Sequence, residues 1–145
     1  MTIPELQRRW KTIDIRKAAA SIISDNKQQI ADLNREQLMD GFNKEGKKLK
    51  KYQSNSYAAR KNRMNSAPGL GNPDLYLTGR FHEAMNVKIN SKVSYEIFSA
   101  DSKTSDLTKK YGKDIFGLTE ESRDKASTEI INPGLILHIK EVVKL

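Results

Sequence analysis

The nearest approach to a catalytic constellation in this chain is His82-Glu83-Ala84-Met85-Asn86, the opening of a zinc-helix pattern. A second histidine one turn after the first would complete the metal set, with the glutamate as general base. Asn86 occupies that position, so His82 reads as a surface or half-buried helix residue. His138 sits in an apolar stretch with no partner to orient it for acid or base work. Gly69-Leu70-Gly71 lacks the third glycine and the preceding strand of a dinucleotide loop, and no Walker lysine pattern occurs. In Asp101-Ser102-Lys103-Thr104-Ser105-Asp106, Lys103 stands where a calcium loop needs an oxygen ligand. Glu120-Glu121 could serve as paired carboxylates, but at a helix start their commoner use is to offset the positive dipole end. The chain has no cysteine, which excludes disulfides, thiolate catalysis and thiolate-bound zinc. The expectation is therefore a protein that is not an enzyme and uses no cofactor or metal.

Charge points instead to a binding surface. Between Lys44 and Arg63 there are eight cationic side chains against Glu45 alone, so this segment holds +7 of the chain's +8. Lys47, Lys48, Lys50, Lys51, Arg60, Lys61 and Arg63 are the candidates for facing DNA or an acidic partner. Tyr52 and Tyr57 lie among them, the interleaving expected where bases stack while cations neutralise phosphate. A solvated or protein-facing basic surface is the plainer alternative, since no recognised nucleic-acid module accompanies the run.

The elements that must position these groups follow from hydrophobic spacing. At 145 residues, 37% hydrophobic and 30% charged, the chain suits one domain with a modest core: an N-terminal arm over 1–13 and an α+β domain over 14–145. No signal-peptide apolar region opens it, and no apolar run approaches the roughly 20 residues of a membrane helix. The expected setting is thus a soluble, unexported protein.

From Asp14 to about Asp40, Ile15, Ala19, Ile22, Ile23, Ile30 and Leu33 recur on one helical face. An unbroken helix there would be about 40 Å long, long enough that part of its stripe is expected against another subunit. Ile22, Asn26, Ile30, Leu33 and Gln37 are the candidate interface residues, with Asn26 and Gln37 suggesting a wetter seam. Gly41 and Asn43-Lys44-Glu45-Gly46 end the helix, Lys47–Tyr52 suits an edge strand or arm, and Ser54 or Asn55 caps a short helix. Residues 66–73 form a flexible loop rich in glycine and proline.

A helix is expected from about Asp74 to Met85, with Pro73 stiffening its entry and Asp74 or Thr78 capping it. Leu75, Phe81 and Met85 would form its apolar stripe, and Gly79 would allow close backbone approach. Val87 and Ile89, then Val93, Tyr95 and Ile97, alternate as in an antiparallel hairpin. Ser105 is expected to cap a helix ending at Tyr111-Gly112, and Thr119 another with Ala126, Ile130 and Ile131 inward. Asn132-Pro133-Gly134 interrupts or ends that helix, before an apolar final segment read as helix. The fold class is α+β: a long N-terminal helix and a small antiparallel hairpin packed with shorter helices.

The order of these features carries a resemblance. A long N-terminal helix with Gly41 and Gly46 precedes Tyr57-Ala58-Ala59-Arg60-Lys61, then Pro73-Asp74-Leu75 and Leu77-Thr78-Gly79. A hairpin, Tyr111-Gly112, and Ile115-Phe116-Gly117-Leu118 before an acidic helix start complete the series. Over roughly residues 14–131 this resembles the virion morphogenesis and tail-completion proteins of tailed bacteriophages. The chain departs from that pattern at Lys110-Tyr111-Gly112 and Asp114-Ile115-Phe116, where the family often shows a histidine before the glycine and a proline-arginine pair before the aromatic. The resemblance implies a structural protein of the head-tail neck, made in the host cytoplasm and built into the virion. It would act as a homo-oligomeric ring beside other neck, portal or tail proteins, with non-specific contact to passing DNA and no membrane. A small basic DNA- or RNA-binding module using Lys44–Arg63 is the alternative.

Overall fold

Thr2 and Glu5 start the first helix by capping each other: Thr2 Oγ1 accepts from the Glu5 amide, and the Glu5 carboxylate accepts from the Thr2 amide at 2.8 Å. A computed structural model describes residues 1–90 and 94–144 of the chain. Helix α1 (Ile3–Lys11) turns most of the expected arm into a regular element lying against the C-terminal helix, where Arg9 Nη1 donates to the Val143 carbonyl.

The single long helix expected from Asp14 to Asp40 is instead two, α2 (Ile15–Asp25) and α3 (Lys27–Met39). Asn26 breaks it, at φ −122° and ψ 27°. Its Nδ2 donates to the Ile22 carbonyl at 2.7 Å while its own amide shifts to Ile23, so the side chain competes for the acceptor that would have continued the helix. Helix α2 then packs mainly on the C-terminal helix while its Ile23 joins the core, and α3 packs mainly on the hairpin.

After α3 the chain folds back through an isolated bridge between Phe42 and Lys48, and Lys47–Tyr52 pairs in no strand. Ser54 caps α4 (Asn55–Met64) by accepting from the Tyr57 amide. The 66–73 connection, expected to be flexible, is pinned. Pro68 and Pro73 are buried, Gly71 accepts from the Tyr52 amide, and the Pro68 carbonyl accepts from Lys48 Nζ at 2.8 Å. Gly41, at φ +84°, lets this loop approach: a Cβ there would stand 2.7 Å from Pro68 Cβ.

The helix expected from Asp74 to Met85 shrinks to one turn, α5 (Arg80–Glu83). Leu75 has φ +58°, and Gly79 begins the turn in the left-handed region, where a Cβ would sit 2.8 Å from Tyr76 Oη. Asp74 caps no helix; its carboxylate serves an internal ion pair, and only Thr78 accepts from the turn, at 3.4 Å from the Arg80 amide.

The hairpin is present, β1 (Met85–Ile89) antiparallel to β2 (Tyr95–Ser99) with Val87 opposite Ile97. Met85, Val87 and Ile97 point into a core shared with Ile30, Leu38 and Ile115. Val93 lies outside the described residues. Helix α6 (Thr104–Tyr111) ends at Gly112 as expected but starts from Lys103 without a side-chain cap, so Ser105 does not cap it. Thr119 does cap α7 (Glu120–Ala126), accepting from the Ser122 amide. A wide π turn over Ser127–Ile131 leads into α8 (Asn132–Val143). Pro133 has no amide proton for a regular helical bond, and the wide turn absorbs the lost bond without ending the rod.

Candidate functional site

The basic segment divides once it is folded. Lys61 is taken inside: its Nζ lies 2.8 Å from the Asp74 carboxylate, both side chains are under a tenth exposed, and it also donates to the Tyr76 carbonyl. That withdraws Lys61 from the DNA- or partner-facing set. Lys48 keeps its ammonium on the Asp40 and Pro68 carbonyls and 4.0 Å above the Phe42 ring, so it acts mainly as a clasp. Lys47, Lys50, Lys51, Arg60 and Arg63 remain exposed.

The proposed interface stripe is also largely spent within the chain. Ile30 is 0% exposed and belongs to the core, while Ile22 packs against Gly134 of α8. Leu33 is partly buried against the same core, and Asn26 serves the helix break. Gln37 does not line a wet seam between subunits. Its amide reads the loop after the short 3₁₀ turn Lys113–Ile115, donating to the Gly117 carbonyl at 3.1 Å and accepting from the Thr119 amide at 2.9 Å. One turn earlier, buried Asn34 donates to the Ile115 carbonyl and accepts from the Gly117 amide. These two amides hold an irregular backbone as a sheet neighbour would, which is why polar residues stand on an apolar face.

Beside the buried ion pair lies a cleft of about 430 Å³. The hydrogen bond from the Tyr52 amide to the Gly71 carbonyl fixes one wall, and the Ser54 cap sets the helix that carries Tyr57. Asp74 Oδ1 accepts from the Tyr76 amide at 2.9 Å and so shapes the turn that presents Tyr76. The end of α6 contributes Lys103, Leu107, Lys110 and Tyr111. Four tyrosines thus come together from segments far apart in sequence. Tyr52 meets Tyr57 edge to face with ring centres 4.9 Å apart. Charge runs and periodicity pointed only to Tyr52 and Tyr57, and nothing in the spacing linked them to Lys103 or Lys110.

The electrostatics of the floor are closed. Burial pushes the Asp74 carboxyl up, but hydrogen bonds from Lys61, the Tyr76 amide and Asn65, with the Lys61 charge, outweigh it and hold the carboxyl below its ordinary range. Burial, reinforced by the Asp74 charge, pushes the Tyr52 hydroxyl well above the ordinary phenol range, so it is a neutral phenol and not a base. His82 is buried, beyond the surface or half-buried position that the sequence suggested, and its Nε2 lies 2.9 Å from the Asp74 carbonyl. A carbonyl can only accept, so Nε2 carries the proton. Burial lowers the imidazole pKa, and the ring stays neutral. Arg35, which periodicity did not single out, donates to the His82 and Met85 carbonyls and ties α5 and β1 to α3. Among the described residues every buried side-chain nitrogen and oxygen has a partner, and no group of three or more metal-ligating side chains gathers.

The cleft can therefore bind through apolar walls, phenol hydroxyls and a cationic rim, and presents no activated nucleophile. Comparisons with protein-family models, curated proteins and solved structures return no match.

Proposed function

We propose that this chain is a structural protein of a tailed-phage virion, placed at the head-tail neck and working by assembly with copies of itself and with neighbouring neck, portal or tail proteins. The observation that carries the reading is a set of apolar side chains left uncovered on two helices that touch. Helix α1 has no buried residue, and Ile3, Leu6 and Trp10 repeat along its exposed side. On α8, Ile136 and Leu137 are 54% and 60% exposed. Exposed apolar side chains on contacting elements, here α1 beside the Val143 end of α8, favour a surface that another protein covers. The order of motifs from the N-terminal helical region to the acidic start of α7 adds the phage resemblance.

Light-scattering mass of the full chain across a concentration series, with negative-stain imaging, tests this reading. The expected result is a mass that rises above 16.5 kDa in multiples, with closed rings on the grid. Leu137→Glu is expected to return the protein to 16.5 kDa without unfolding it. A monomer at every concentration would overturn the assembly mechanism. The nucleic-acid reading retains five exposed cations, Lys47, Lys50, Lys51, Arg60 and Arg63. It predicts tight duplex binding by the isolated chain that collapses with added salt, whereas the neck protein binds duplex weakly.

A further inference from the structure

We infer that the tyrosine cleft is a docking site for an acidic protein segment that inserts one large apolar side chain. This goes beyond the neck reading and does not depend on it, since a peptide cleft needs no ring.

Three observations define the occupant. The cleft, at about 430 Å³, falls within the usual size of a ligand pocket. Its interior is built from Leu75, Phe81, Leu107 and the four tyrosines, a surface that suits an apolar anchor. No carboxylate side chain lines it, while Lys103 and Lys110 stand exposed at its edge and Arg60 lies 5.6 Å from the Tyr57 ring centre. The one cation in the floor, Lys61, is already neutralised by Asp74. The unmatched charge is therefore positive and confined to the rim, so the complementary partner is apolar at its centre and acidic at its flanks.

The same cations could meet phosphates, but the ring geometry disfavours a nucleobase. Arg60 covers a face of Tyr57, and Lys110 covers a face of Tyr111 at 5.3 Å. Tyr52 and Tyr57 engage each other at 85° between planes, and Tyr76 engages His82 at 66°. Bases stack on open ring faces, and each of these rings already has a face or an edge taken. What these rings offer is edges, hydroxyls and apolar rims, which suit side-chain anchors and carboxylates.

The test selects a random peptide library against the immobilised full chain and measures the enriched peptides by fluorescence anisotropy. The expected consensus is one Phe, Trp or Leu flanked by Asp or Glu. Lys103→Glu with Lys110→Glu is expected to weaken binding about tenfold, because charge reversal turns attraction at the rim into repulsion. Both lysines are exposed, so the fold should survive, and an unchanged thermal midpoint checks that. Lys88→Glu with Lys140→Glu, an equal charge change away from the cleft, is expected to leave affinity within about twofold. An absent consensus, one without acids, or equal loss in the control pair overturns the proposal. So does single-stranded oligodeoxythymidylate that outbinds the peptides and loses affinity only in the rim variant.

Discussion

Asp74 is the residue on which most of the local structure converges. It neutralises Lys61, accepts from Asn65 and the Tyr76 amide, and lends its carbonyl to His82. Removing one member of a buried pair strands the other charge, which typically costs about 3–5 kcal/mol. Asp74→Ala is accordingly expected to lower unfolding free energy by that order in urea titration. Asp74→Leu with Lys61→Met should recover much of the loss, because no buried charge then lacks a partner; a double variant as unstable as the single would refute this account. His82 adds a pH dependence whose sign follows from its lowered pKa. As pH falls through the ordinary value of 6.5, the unfolded chain takes up a proton that the folded imidazole still refuses. Stability therefore declines from pH 6.5 downward and levels off below the folded-state value. The Asp74 contribution, present above 3.8, is lost further down as pH falls through its depressed value. Urea midpoints at neutral pH and near pH 5 should show the first decline, and His82→Gln, which keeps a donor and removes the titration, should flatten it.

At the scale of elements, α3 is the organiser, and it works through amides as well as apolar contacts. Asn34 and Gln37 clasp the backbone from Ile115 to Thr119, while Arg35 holds α5 and β1. Asn34→Ala leaves a buried donor and acceptor without partners, at a cost of about 1–3 kcal/mol for each group. The loop should loosen before the core does. Amide exchange at Gly117, whose proton goes to Asn34, is thus expected to accelerate far more than exchange at Val87. Equal acceleration at both would mean that the clasp is not local. Helix existence was legible from periodicity in this half of the chain, but continuity was not. Asn26 on the apolar stripe looked like a polar contact for a neighbour, and its real use is to take over the Ile22 carbonyl and split the helix.

For the whole molecule, the division is between a packed centre, to which α8 is tied through α2, and a first helix held chiefly by α8. α1 buries nothing fully and touches chiefly α8, so deleting residues 1–12 should change the thermal midpoint by only a few degrees. The same deletion should reduce assembly, because Ile3, Leu6 and Trp10 leave with it. A large drop in midpoint would instead make α1 part of the folding unit. Trp10 is the sole tryptophan and 55% exposed, so its emission should shift to the blue on self-association if this surface is the one covered.

The sequence alone determined the α+β class, the hairpin, a helix cap at Ser54 or Asn55, the cap at Thr119, and the concentration of positive charge up to Arg63. These are local properties, set by periodicity, cap chemistry and composition within a few residues. Tertiary structure decided which charges are free, where the stretch from Pro73 to Gly79 departs from a helix, and which tyrosines meet. Lys61 reads like its neighbours in the chain, and only the buried carboxylate of Asp74 turns it from a surface cation into the floor of a cleft. The reason is that desolvation and pairing depend on what the fold brings alongside a group, and that information lies at sequence distances no local pattern spans.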